Sequence, residues 1–172
     1  DEADTVNALA PGLKARGADA VVLLIHQGGR TRTEPPDPFG CANLSGEILP
    51  ILERLTTQVD VVVSGHTHWA YVCDYAAINP AKPFLLTGAG VFGELVTDIR
   101  LVIDPVSHRV LSKSASNLIV QSGGYATRIG RIEPKPAFPQ FQPRTDIAEY
   151  VARYAAAASD FVKRPVGRLG GV

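Results

Sequence analysis

Val59-Asp60-Val61-Val62-Val63-Ser64-Gly65-His66-Thr67-His68 is the stretch on which the reading of this chain turns. Its first five residues, four of them valine, read as a strand buried on both faces. Ser64-Gly65 ends the run, and two histidines follow, two residues apart. Gly65 lets the backbone turn sharply or come close to a ligand. In an extended segment residues two apart face the same side, so His66 and His68 are expected to reach a common or adjoining metal position.

Upstream, Ala20-Val21-Val22-Leu23-Leu24-Ile25 is a second run of the same kind, and His26 follows it directly. Gln27 to Cys41 is Gly- and Pro-rich loop. A helix is then expected over Ile48, Ile51, Leu52 and Leu55, with Ser45 as its N-cap and Pro50 delaying its regular part. Residues 1–19 are also expected to be helical, with Val6, Leu9, Ala10 and Leu13 on one face and Gly17 as the stop, although Pro11 weakens the pattern. Helix, strand, helix, strand predicts a right-handed crossover with parallel strands. Parallel neighbours that both end in histidine bring His26, His66 and His68 to one carboxyl edge, where α/β sheets place their ligands. Three neutral imidazoles suit a borderline divalent cation. A His-x-His pair alone carries little weight against chance; the strand before it and His26 upstream tip the balance to metal. His108, in the turn between Asp104 and Arg109, is expected to face solvent.

After residue 68 the texture changes. Pro83 to Gly88, Leu95 to Ile103 and Val110 to Ala115 read as short β segments of an antiparallel half, with a hairpin turn at 104–109. Residues 133–143 hold four prolines in eleven positions and form an extended connector. Beyond it, Thr145 or Asp146 is expected to cap a helix whose Ile147, Val151, Tyr154, Ala158 and Phe161 make one stripe. That stripe must bury against something.

Composition narrows the function classes. The 172 residues are 45% apolar and 20% charged, as in globular proteins. Seventeen basic side chains balance seventeen acidic ones, so no basic excess exists to bind a nucleic-acid polymer. No apolar run approaches the ~20 residues of a membrane span. Cys41 and Cys73, the only cysteines, form no C-x-x-C pattern, which removes a thiolate zinc cluster. A pair alone leaves bonded and free thiols both open; both lie beside loops, and a bond would imply an oxidising compartment. Gly28-Gly29 and Gly88-Ala89-Gly90 lack phosphate-loop spacing and read as turns. No G-x-S-x-G or Cys–His nucleophile pattern occurs. Trp69 and Tyr71 read as core or rim packing rather than as pocket walls.

Ile25-His26-Gln27-Gly28, Asn43-Leu44-Ser45-Gly46 and Val59 to His68 resemble the calcineurin-like metallophosphoesterases. More narrowly they are similar to the 5'-nucleotidase branch, with its UDP-sugar hydrolases and cyclic-nucleotide phosphodiesterases. Tyr71-Val72-Cys73, Val96 to Leu101, Ala115-Ser116-Asn117 and Arg164-Pro165-Val166-Gly167 carry the narrower match. The resemblance implies an α/β (α+β) fold, a two-sheet sandwich flanked by helices. It implies two divalent ions, Zn or Mn first and Co or Fe also accepted, and attack of a metal-bound hydroxide on phosphorus. His26 and His66 then resemble ligands of one ion and His68 a ligand of the other.

The family's Asp-x-His, Gly-Asp and Gly-Asn-His-Glu/Asp motifs do not occur, and its catalytic histidine belongs to the last of these. No catalytic or substrate-binding residue is therefore assigned. The expected division is 1–132 as the second half of a catalytic domain, 133–163 as connector and interdomain helix, and 164–172 as the start of a C-terminal substrate-binding domain. The expected partners are a nucleotide or other phosphate ester, the upstream half and the C-terminal domain. The expected location is secreted, periplasmic or cell-surface. On its own the chain is expected to bind metal weakly and to turn nothing over. The alternative is a self-standing, non-catalytic α/β module whose vestigial His cluster binds metal or a partner chain.

Overall fold

The run at 59–63 forms its strand slightly later than expected, as β2 (Val61–Ser64), in the interior of a four-stranded sheet. This is seen in a computed structural model, which describes every residue except 122, 128, 129, 168, 169, 171 and 172. β1 (Val22–Ile25) pairs parallel with β2, Val22 opposite Val61 and Ile25 opposite Ser64. The short helix α2 (Leu49–Arg54) lies in the connection between them. The expected parallel crossover is therefore present.

The segment expected in an antiparallel half behaves differently. β4 (Leu85–Ala89) occupies the other side of β2 and runs parallel to it, Ser64 opposite Gly88. β3 (Ala70–Asp74) has already reversed the chain and pairs antiparallel with β4 at the far edge. The order β1-β2-β4-β3 thus gives three parallel strands whose carboxyl ends share one edge.

β1 also corrects the expectation of a strand buried on both faces. Val22 is 49% and Leu24 75% exposed, while Leu23 and Ile25 pack against the core. Among the described residues β2 is its only neighbour. An apolar run records what a strand can bury, not whether a layer lies over it.

α1 (Glu2–Ala15) is capped by Asp1, whose carboxylate accepts from the Asp4 N–H at 3.1 Å, and it tolerates Pro11. Its inward face is Ala3 and Ala10, with Val6 beside them; Leu9 is 61% exposed, so the Leu9–Leu13 stripe is not the buried one. Asn7 explains the rotation. Its side chain donates to the Arg54 carbonyl (2.8 Å) and accepts from the Thr56 N–H (2.6 Å), tying α1 to the end of α2. Ser45 does not cap α2: Ile48 stands at that position without a side-chain bond, and Ser45 instead bridges to Arg30.

The core lies between the helices and the sheet, with Ile48, Leu52, Leu55, Val59, Val62, Phe84 and Leu86 all buried. Tyr75 stacks on Phe84 with ring centroids 4.9 Å apart and donates to Glu53 at 2.6 Å. Burial first, and the Glu53 carboxylate second, push its phenol well above the usual tyrosine range. β5 (Leu95–Ile103) and β6 (Val110–Ile119) form the expected antiparallel hairpin through the 104–109 turn, with β6 four residues longer than its Val110–Ala115 reading. The hairpin lies against β3 and β4. Together the mixed sheet, the hairpin and the flanking helices give the expected mixed α/β class.

The chain divides into two compact units, Asp1–Val120 and Gln121–Val172. The second holds a small hairpin of β7 (Tyr125–Thr127) and β8 (Gly130–Ile132) and the helix α3 (Thr145–Lys163). Arg144, not Thr145 or Asp146, is the N-cap of α3, and Asp146 sits in the first turn, bonded by Arg144. None of the described residues of α3 is buried, and its stripe is open: Ile147, Val151, Tyr154 and Phe161 are each more than half exposed. In the 164–172 segment, 168, 169, 171 and 172 lie outside the described residues. No helix among the described residues is long and apolar enough to cross a membrane.

Candidate metal centre

His26 leaves the end of β1 and His66 the end of β2, and the parallel pairing of those strands brings their rings together. His66 Nδ1 lies 3.3 Å from His26 Nε2, with the rings edge-on and their centroids 5.1 Å apart. Both rings are exposed. Two imidazole nitrogens bound to one tetrahedral zinc at about 2.0–2.1 Å each would sit about 3.3–3.4 Å apart. The observed spacing fits that bite. It also fits one imidazole donating to the other, so the pair is a ready two-nitrogen donor set whichever form it takes.

His68 does not join them. The expectation that 66 and 68 project from an extended segment fails, because β2 ends at Ser64 and the chain turns at once. The Thr67 N–H donates back to the Gly65 carbonyl at 2.7 Å, a three-residue turn with His66 at its centre. His66 has φ 64° and His68 φ 60°, both in the left-handed region. Holding a non-glycine residue there costs about 1–2 kcal/mol, and such strain concentrates at functional sites. The His68 ring instead neighbours Phe92, centroids 6.0 Å apart. Among the described residues no group of three or more His, Cys, Asp or Glu is placed to hold a metal ion.

The scaffold beneath the pair was not legible in the sequence. Tyr71, on β3, is 1% exposed and its hydroxyl joins both histidine-bearing loops. It accepts from the Gly29 N–H at 2.9 Å and meets Ser64 Oγ at 2.6 Å. Ser64 Oγ donates to the Thr87 carbonyl at 2.7 Å, so the Tyr71 proton must go to Ser64. The result is a one-directional relay from the Gly29 N–H through the Tyr71 and Ser64 hydroxyls to the Thr87 carbonyl. Thr67 Oγ1 adds a bond to the Gly29 carbonyl at 2.7 Å, and the Gly65 N–H donates to Gln27 at 3.2 Å.

Gly28 is more than a turn residue. A Cβ there would lie 2.2 Å from the Gly65 carbonyl oxygen and 2.8 Å from Thr67 Oγ1. Only glycine allows the two loops to approach this closely. Trp69 is 40% exposed and donates from its indole to the buried Thr31 hydroxyl at 2.9 Å.

Cys41 and Cys73 form a disulfide, their Cα atoms 5.2 Å apart. Cys73 does not lie beside a loop but within β3, 1% exposed, so the bond fastens the end of the Gly- and Pro-rich loop to the sheet. Asn117, 2% exposed on β6, secures the same loop by donating to the Pro38 carbonyl at 2.7 Å. His108 is exposed as expected and pairs with Asp19 at 2.8 Å, in the 104–109 turn.

No family model matches the sequence, and no curated protein matches it. Among solved structures, the chain is similar to the calcineurin-like phosphoesterase YfkN from Bacillus subtilis, with a TM-score of 0.58 and 14% identity. The likeness covers 95% of this chain and 45% of that one, so the chain spans less than half of its neighbour's length. It establishes the fold: nearly the whole chain follows part of a calcineurin-like phosphoesterase.

Proposed function

We propose that the chain is part of a metal-dependent phosphoric-ester hydrolase, with a nucleotide or similar phosphate ester as substrate. The observation that carries this reading is the meeting of His26 and His66 at the carboxyl edge of parallel strands, 3.3 Å apart, in a phosphoesterase fold. In this reading His26 and His66 hold one divalent ion and His68 reaches a second, with Zn or Mn preferred and Co or Fe accepted. When bound, such ions neutralise charge on the phosphoryl oxygens and acidify water.

The chain's own residues orient rather than react. The Tyr71–Ser64 relay fixes the loop after β1 against the turn after β2, and Gly28 lets the two come close enough for the imidazoles to converge. Exposure of both rings leaves them open to a charged ester. Two imidazoles fill half of a tetrahedral shell, so the remaining ligands come from outside this sequence. Accordingly residues 1–132 belong to a catalytic domain completed upstream, 133–163 connect it onward, and 164–172 open a C-terminal substrate domain. The disulfide supports a secreted, periplasmic or cell-surface location.

The test is hydrolysis of AMP and of an aryl phosphate, with Zn or Mn, by this chain and by the longer protein to which it belongs. The expected result is turnover by the longer protein alone, abolished by chelation and reduced at least a hundredfold by His66→Ala. Absence of turnover by the longer protein with Zn and with Mn, and then with Co and with Fe, would exclude the phosphoesterase reading. The lack of a three-ligand group among the described residues favours one alternative, a non-catalytic module; it requires that the longer protein bind Zn and hydrolyse neither ester.

A further inference from the structure

Three strands deliver their carboxyl ends to the candidate site. β1 and β2 carry the histidines, and the third, β4, runs into Gly90-Val91-Phe92-Gly93. Phe92 is 90% exposed. Its φ is 57°, and it sits between Gly90 at 68° and Gly93 at 74°, in a turn closed by the Glu94 N–H on the Val91 carbonyl at 3.1 Å. Among the described residues the other non-glycine positions with positive φ are Asn43, His66, His68 and His108, all of types that tolerate the left-handed region. Phe92 is the exception.

A bulky aromatic residue is thus held at a loop tip, in a backbone conformation it disfavours, with its ring left in water. Packing within the described residues offers no return for this. What the placement does achieve is geometric: the ring stands beside His68, centroids 6.0 Å apart and planes tilted by 57°, with its outer surface free.

We propose that Phe92 is a specificity-determining residue, a stacking platform for an aromatic ring carried on the alcohol side of the phosphate ester. The inference rests on the phosphoesterase reading above and deepens it by naming the substrate class. The phosphoryl group belongs at the histidines, and a planar ring attached through its ester oxygen extends over the exposed Phe92 face. Aromatic faces attract one another in offset or tilted geometry, and a saturated ring of the same size gains less.

Phenyl phosphate and cyclohexyl phosphate separate these cases in the longer protein loaded with Zn or Mn. Phe92→Ala should lower the phenyl-to-cyclohexyl ratio of kcat/KM three- to tenfold, mainly through KM, and Phe92→Trp should restore it. A readout independent of turnover comes from isothermal titration of the same metal-loaded protein with non-hydrolysable phosphonates. Phenylphosphonate should bind more tightly than methylphosphonate, with the difference lost in Phe92→Ala. An unchanged ratio, or an equal loss on both esters with a lowered thermal midpoint, would make Phe92 a packing residue and overturn the proposal while wild-type turnover upholds the phosphoesterase reading. No wild-type turnover of either ester while AMP is hydrolysed would overturn this proposal alone, and no turnover of any of the three with Zn, Mn, Co or Fe would end both.

Discussion

At the scale of single residues, the loops that carry the histidines are held together by three residues to which the sequence assigns no such role. Tyr71 and Ser64 bond the loop after β1 to the sheet, and Gly28 lets that loop approach the turn that carries His66. Tyr71→Phe keeps the ring's volume and deletes the hydroxyl, leaving the Gly29 N–H without its acceptor in a buried place. An unpaired buried donor costs about 1–3 kcal/mol. Urea unfolding should show a loss of that size with an unchanged slope, and a neutral result would mean that the relay carries no stability. Gly28→Ala forces atoms into 2.2 Å of the Gly65 carbonyl, so one loop must move. Overpacking of this kind costs about 1–3 kcal/mol, and it should also weaken Zn binding, whereas Gly12→Ala, where the nearest atom is the flexible Arg16 guanidinium at 3.6 Å, should leave Zn binding alone. The meeting of His26 and His66 was legible because residue type and strand position sufficed to bring those two together, and the separation of His68 was not. Tyr71 was not, since nothing in Tyr71-Val72-Cys73 says that its hydroxyl reaches two loops distant in sequence.

At the scale of elements, the sequence spoke clearly where one strand's burial settles its character and poorly where a neighbour does. β2 was recognisable because both of its faces are covered. β1 has nearly the same composition, but its edge position leaves Leu24 75% exposed. β4 could not be read as parallel, because that depends on where the reversing strand β3 settles. Leu24→Glu should therefore cost no more than about 0.5 kcal/mol in this chain, the usual bound for surface changes. In the longer protein the same substitution should cost several times more if upstream residues cover β1, and a thermal-shift comparison of the two distinguishes these cases. The disulfide acts on the loop between β1 and α2 and on β3 together. It closes a span of 32 residues, for which chain entropy gives about 3–4 kcal/mol. Reduction, or Cys41→Ser with Cys73→Ser, should lower stability by roughly that amount in chemical denaturation. α3 lacks any buried described residue, and isolated helices are marginal in water. Its amides should exchange far faster than those of β2 and β4.

At the scale of the whole molecule, the balanced charge supplies no basic excess of the kind that drives counterion release, and it says nothing against a small phosphate ester held at cations. The fold follows a calcineurin-like phosphoesterase over 95% of the chain while spanning 45% of that neighbour, and the candidate centre is correspondingly partial: two converging imidazoles and a third apart. That a small number of histidines at one sheet edge form a cation half-site is the claim on which the rest stands. It is tested most directly by titrating Zn into this chain and following the ring nitrogens of its four histidines by NMR. The account predicts that His26 and His66 shift together with one dissociation constant, that His66→Ala removes the response of both, and that His108, paired with Asp19, stays unmoved. Independent shifts of His26 and His66, or a response from His108 alone, would contradict it.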